Sequence, residues 1–130
     1  MVNGFGTKKS AILFVIFSAI FTSTGQILWK FGVGNIDLTL PLTLINLPFV
    51  LGFVSYGIGA LFMILAFQQG ELSVIYPILA TSYVWVTILS PIFFPTDFLN
   101  GWKIAGVAII LIAVSLLGFG NAKNAAETYG

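Results

Sequence analysis

The sequence contains no histidine, no cysteine and no arginine. The first two absences remove the usual zinc, copper and iron ligands and any disulfide framework. They also remove most acid–base and nucleophilic side chains, and no aspartate or glutamate falls inside a long apolar run. An enzyme is therefore the least expected class, and no cofactor is expected. Charge is scarce as well. Only 7% of the 130 residues are charged, where an ordinary soluble domain carries about a quarter. Five lysines (Lys8, Lys9, Lys30, Lys103, Lys123) stand against four acids (Asp37, Glu71, Asp97, Glu127), a net charge of +1. That balance offers no basic patch, so no nucleic-acid partner is expected.

Hydrocarbon takes the place of charge: 58% of the residues are hydrophobic and the mean hydropathy is +1.07. Such a chain cannot cover a globule with polar groups. It is expected to be an all-α integral membrane protein, multi-pass in the cell (inner or plasma) membrane, with the lipid bilayer as its first partner. The few charges divide it into Ser10–Trp29, Leu38–Gly70, Leu72–Thr96 and Ile104–Ala122, each free of Asp, Glu and Lys. A span of about 20 apolar residues crosses a hydrocarbon core of about 30 Å. The blocks predict a single domain, residues 1–130, built as a four-transmembrane-helix bundle. The helices are expected at about Ala11–Val33, Leu47–Gln69, Leu72–Phe94 and Gly101–Phe119, followed by a flexible polar tail over 120–130. The solid apolar runs do not alternate as barrel strands would. Lys8 and Lys9 before the first run resemble the start of a signal peptide, but the run is too long and lacks a small-residue cleavage site, so it is read as retained.

Two of these helices carry polar seams. In the third, Tyr76, Ala80, Tyr83, Thr87 and Ser90 recur at spacings of four, three, four and three and share one face. In the first, Ser18, Thr22, Gly25, Gln26 and Trp29 do the same. A glutamine amide at membrane depth needs a partner. Gln26 either bonds across to another helix or faces a common cavity with Tyr76 and Tyr83. Lys30, one turn further, either snorkels to the headgroups or holds an anionic group at the cavity mouth. Ser55 and Gly59 form a small-xxx-small pair that favours close helix packing, and the fourth helix, bland and rich in small residues, fits a packing or dimerisation role. Four helices leave both termini on one side, with three lysines there against two opposite, a feeble orientation bias under the positive-inside rule.

Gly25-Gln26 with Lys30, then Gly70-Glu71-Leu72-Ser73 leading into Tyr76-Pro77, resemble the drug/metabolite transporter superfamily, with its EamA-like and small-multidrug-resistance-like members. Ile75-Tyr76-Pro77-Ile78-Leu79 and Val84-Trp85-Val86-Thr87 look most like the small four-helix subunits that flip aminoarabinose-linked undecaprenyl phosphate. The small multidrug exporters carry a membrane-embedded glutamate three residues before the glycine that matches Gly25. Here that position is Thr22, which cannot titrate, so proton-coupled export of cationic drugs is not expected.

The resemblance implies a transporter or flippase half-unit that moves a small polar or lipid-linked (polyprenyl-phosphate sugar-like) substrate by alternating access. It would work as a homodimer, or a heterodimer with a similar four-helix protein. The candidate substrate-binding residues are Thr22, Gln26, Lys30, Tyr76, Tyr83 and Thr87, with Lys30 meeting the phosphate near the membrane surface. The competing expectations are a water-soluble metabolite exporter of the same superfamily and a non-transporting membrane scaffold subunit.

Overall fold

The computed structural model describes residues 2–3 and 6–129. Among the described residues the order is β1 (Val2–Asn3), β2 (Thr7–Lys8), α1 (Lys9–Val33), a short 3-10 turn (Pro41–Leu44), α2 (Leu47–Phe67), α3 (Leu72–Phe93) and α4 (Gly101–Tyr129). All four helices are long and apolar enough to cross a membrane. Residues 1, 4 and 5 of the polar N-terminal lead lie outside the described residues. The rest of the lead is an antiparallel pair, with Val2 opposite Lys8 and Asn3 opposite Thr7, turning through Gly6 at φ +86, a region that glycine enters without steric cost.

Helix α1 is the central element. It lies along α2 and also packs on α3, while α4 packs on α3. Although α2 and α3 are joined by the short turn Gln68–Glu71, they meet little beyond it. Helix α1 packs on both and stands between them.

The α1–α2 contact is close because small residues remove the side chains that would hold the helices apart. A methyl group on Gly25 would stand 2.9 Å from the Gly52 carbonyl oxygen, and one on Gly59 would stand 3.1 Å from the Ser18 oxygen and the Thr22 nitrogen. Hydroxyls bridge the same seam. Ser18 donates to the Gly59 carbonyl at 2.8 Å, and Ser55 donates to the Phe21 carbonyl at 2.8 Å. Phe62 stacks on Phe17 and Phe21 across it, with ring centroids 5.5 and 5.8 Å apart. Three more hydroxyls of α1 fold back on their own helix: Thr22 donates to the Ser18 carbonyl, Ser23 to Ala19 and Thr24 to Ile20. This satisfies them without water.

Both ends of the bundle are tied. At one end Lys8 N–H donates to the Gln69 carbonyl at 3.0 Å, Ser10 donates to the Gln69 side chain, and buried Thr7 accepts from the Glu71 N–H at 3.1 Å. The N-terminal segment thus caps the start of α3. Beneath it Val15, Ala66 and Ile75 are fully buried, with Phe14 and Phe67 packed around them. At the other end Asn46 caps α2 by accepting from Phe49 N–H at 3.0 Å, and its amide donates to the Gly32 carbonyl at 3.0 Å. One side chain therefore satisfies a free donor of α2 and adds a bond to the Gly32 carbonyl near the end of α1, which also accepts from Asn35 N–H at 3.1 Å.

Pro77 removes the amide that would serve the Ser73 carbonyl, yet α3 runs on. The freed oxygen is packed against Gly118 of α4, where an added methyl would stand 2.6 Å from it. The polar segment from 120 is not a separate tail: α4 continues through Tyr129. Its alanines favour helix, and Lys123 and Glu127 pair one turn apart at 3.9 Å.

Candidate functional site

The two polar seams meet. A cavity of about 250 Å³ lies among the four helices, and its walls include Thr22 and Gln26 of α1, Tyr56 and Met63 of α2, and Tyr76, Ser82 and Tyr83 of α3. Ile110 and Val114 of α4 close it with an apolar wall. Spacing explains the convergence. Thr22 and Gln26 are one turn apart on α1, and Tyr76 and Tyr83 are two turns apart on α3. Each pair lies along the face that its helix turns toward the others.

The site chemistry is neutral. Thr22 is buried and its proton is spent on the Ser18 carbonyl at 2.8 Å, so it offers only an acceptor lone pair. Tyr76 and Tyr83 are 48% and 45% exposed, so they are wall residues and not core. Among the described residues no hydrogen bond takes up the Gln26 amide or the phenol groups of Tyr56, Tyr76 and Tyr83, whereas the Ser18, Thr22, Ser23 and Thr87 hydroxyls are bonded to backbone carbonyls. The cavity therefore presents an amide with both donors and an acceptor, three phenols and aromatic faces. Such a set orients a polar, uncharged group.

Packing behind the wall positions these groups. Trp29 stacks on Tyr56 with ring centroids 4.9 Å apart and meets Phe53 edge-on at the same distance. Gly25 leaves room for Tyr56, since a methyl there would stand 3.1 Å from its Cβ and amide nitrogen. Phe67 braces Tyr76 at 5.7 Å. Among the described residues the buried Trp29 indole N–H has no hydrogen-bond partner.

Thr87 and Lys30 lie outside the cavity lining. The Thr87 hydroxyl donates to the Tyr83 carbonyl at 2.7 Å, one turn back along α3. Lys30 is turned to the α3–α4 connection, where it pairs with Asp97 and donates to the Ser90 hydroxyl at 2.8 Å. Its ammonium also stands 4.8 Å over the Phe94 ring. Lys103 pairs with the other Asp97 oxygen, and Ser90 donates to the same carboxylate. The two lysines, Lys103 foremost, and the Ser90 hydroxyl hold the Asp97 carboxyl well below the usual carboxylate range. Lys30 is thus not a solitary charge facing the Gln26 seam. A carboxylate 67 residues away takes it up, because an ammonium at the edge of an apolar bundle is stabilised by the nearest opposite charge.

Sequence reasoning passed over Tyr56, Met63 and Ser82. The signal for the first two was present: Tyr56, Ala60 and Met63 are spaced by four and three, a stripe on α2 next to the one that carries Ser55 and Gly59.

The chain is 35% identical over 113 residues to the uncharacterized protein y4nH of Sinorhizobium fredii, a match that covers 84% of this chain and 95% of that one. The two belong to one family. No family model matches the chain, and no solved structure matches it. The relative brings no assigned activity, so the functional reading rests on the residues themselves.

Proposed function

We infer that the chain is a membrane transporter or flippase half-unit of the drug/metabolite transporter type. It works in the plasma membrane as a dimer with itself or with a similar four-helix protein. Its substrate is a small polar or lipid-linked solute of the polyprenyl-phosphate sugar kind, whose headgroup enters the cavity among α1, α2, α3 and α4. The observation that carries this reading is the set of uncommitted neutral groups on the cavity wall, Gln26, Tyr56, Tyr76 and Tyr83. Hydrogen-bonding groups left unspent inside an apolar bundle cost free energy that a purely packed helix bundle would avoid. A sugar headgroup has the hydroxyls to engage them, and the aromatic faces suit its C–H surfaces. Alternating access needs two such bundles around one path, which is why a dimer is part of the reading.

The test is translocation in proteoliposomes. A fluorescent polyprenyl-phosphate sugar is expected to cross in a protein-dependent manner. Tyr83→Phe, which removes one hydrogen bond, should slow it about three- to tenfold while the fold is kept. Movement of a water-soluble sugar phosphate alone would shift the reading to a metabolite exporter. Movement of neither, with the chain held tightly in a complex of unrelated membrane proteins, would replace it by a scaffold subunit.

A further inference from the structure

At the α1–α3–α4 corner two lysines share one carboxylate. Asp97 accepts from Lys30 and Ser90 on one oxygen and from Lys103 on the other. The sum over the three charged groups is +1. Asp37, the other acid of this end, is turned into its own loop, where one carboxylate oxygen accepts from the Thr39 amide and hydroxyl, so it does not supply the missing charge. An ammonium carries three N–H donors. Lys30 spends two, on Ser90 and Asp97, and sits over Phe94. Lys103 spends one. Both side chains remain accessible, at 43% and 40%, whereas the carboxylate between them is 20% exposed. The corner thus hides its negative charge and offers its positive ones. It lies where α1 ends and α4 begins, the depth at which phosphates of a bilayer would stand.

We propose that the Lys30–Asp97–Lys103 corner is a phosphate-binding site that takes the oxyanion of a phosphate group, with Lys103 as the principal contact and Asp97 as the group that holds both lysines in place. Two donors of Lys103 and one of Lys30 are directed by the shared carboxylate instead of moving freely on long side chains, so less rotamer freedom is lost when an anion binds. The assignment does not depend on solute movement through the cavity, and cavity variants such as Tyr83→Phe should leave it unaltered.

The chain in detergent is titrated with phosphatidylglycerol, with phosphatidylcholine and with inorganic phosphate, and bound lipid is counted by native mass spectrometry. Phosphatidylglycerol is expected to bind more tightly than phosphatidylcholine, and Lys103→Gln to weaken it about fivefold, the effect of one lysine near a phosphate surface. Asp97→Asn keeps an amide oxygen that can still position a lysine while it raises the local charge from +1 to +2, so the added attraction should outweigh the weaker hold and tighten binding, while Lys103→Arg should retain it. Competition by inorganic phosphate would identify the free anion as an adequate ligand; binding of phosphatidylglycerol without such competition would assign the site to a lipid headgroup. A corner that is only a structural clamp would lose lipid binding alike in Lys103→Gln and Asp97→Asn. That result, or equal binding of the two lipids, overturns the proposal.

Discussion

The α1–α2 seam can be probed by adding one methyl group in each of two places on α2. In Gly59→Ala the new Cβ would lie 2.7 Å from Thr22 Cγ2 and 3.1 Å from the Ser18 oxygen and Thr22 nitrogen. The last two are backbone atoms of α1 and cannot rotate away, so the helices must separate by several tenths of an ångström. Overpacking of this sort costs about 1–3 kcal/mol. Separation also stretches the 2.8 Å bond from Ser18 to the Gly59 carbonyl, and an interhelical bond in a membrane protein contributes about 0.6 kcal/mol on average. Against these, alanine in place of glycine stabilises a helix by up to about 1 kcal/mol. The net expectation is a loss of about 1–3 kcal/mol. Gly57, two residues away, has nothing within 4 Å of the position its Cβ would take. Gly57→Ala should therefore be neutral or stabilising by up to about 1 kcal/mol. Equilibrium unfolding in mixed micelles, read by helical circular dichroism, compares the two variants directly. If Gly59→Ala were as stable as Gly57→Ala, the close approach of α1 and α2 would be refuted.

Three further expectations concern the ends of the bundle. Asn46→Ala removes the α2 cap and the side-chain bond to the Gly32 carbonyl; it should cost about 1 kcal/mol, read in the same unfolding assay. Thr7→Val keeps the shape of a buried side chain but strands the Glu71 N–H. It should destabilise by about 1–3 kcal/mol and speed amide exchange at the start of α3. The Asp97 carboxyl is held below its ordinary value of 3.8, so its contribution is present above that value and is lost only as the pH falls through the lower folded-state value. Thermal midpoints of the parent chain should be unaffected by this group from about pH 5 to 8 and fall in stronger acid. Asp97→Asn should remove that part of the acid dependence.

The four helices were readable because charge-free blocks of membrane-spanning length leave little choice of architecture, and the structure has them at Lys9–Val33, Leu47–Phe67, Leu72–Phe93 and Gly101–Tyr129. The Tyr76/Tyr83 and Thr22/Gln26 stripes were readable because helical spacing alone places their members on one face. What joins distant segments was not. Nothing local to Lys30 or Asp97 says that they pair, since the contact depends on how α1 leans on α3. The end of α4 was misjudged because its polar residues were weighed as a solvated tail. Its alanine content and the Lys123–Glu127 spacing, both helix-favouring, were the better guide. Tyr56 was hidden behind the small residues beside it, which describe the packing face of α2 and not the face that lines the cavity.

The proposed role of the cavity among the four helices is to bind a polar headgroup. The chain has no cysteine, so a single one can be placed on the cavity wall as Ala60→Cys, between Tyr56 and Met63. The decisive measurement is its rate of modification by a water-soluble maleimide in proteoliposomes, with and without a polyprenyl-phosphate sugar. Modification should slow when the lipid-linked sugar is present and be unaffected by the polyprenyl phosphate lacking the sugar. A thiol that never reacts, or that reacts at one rate under all three conditions, would contradict it.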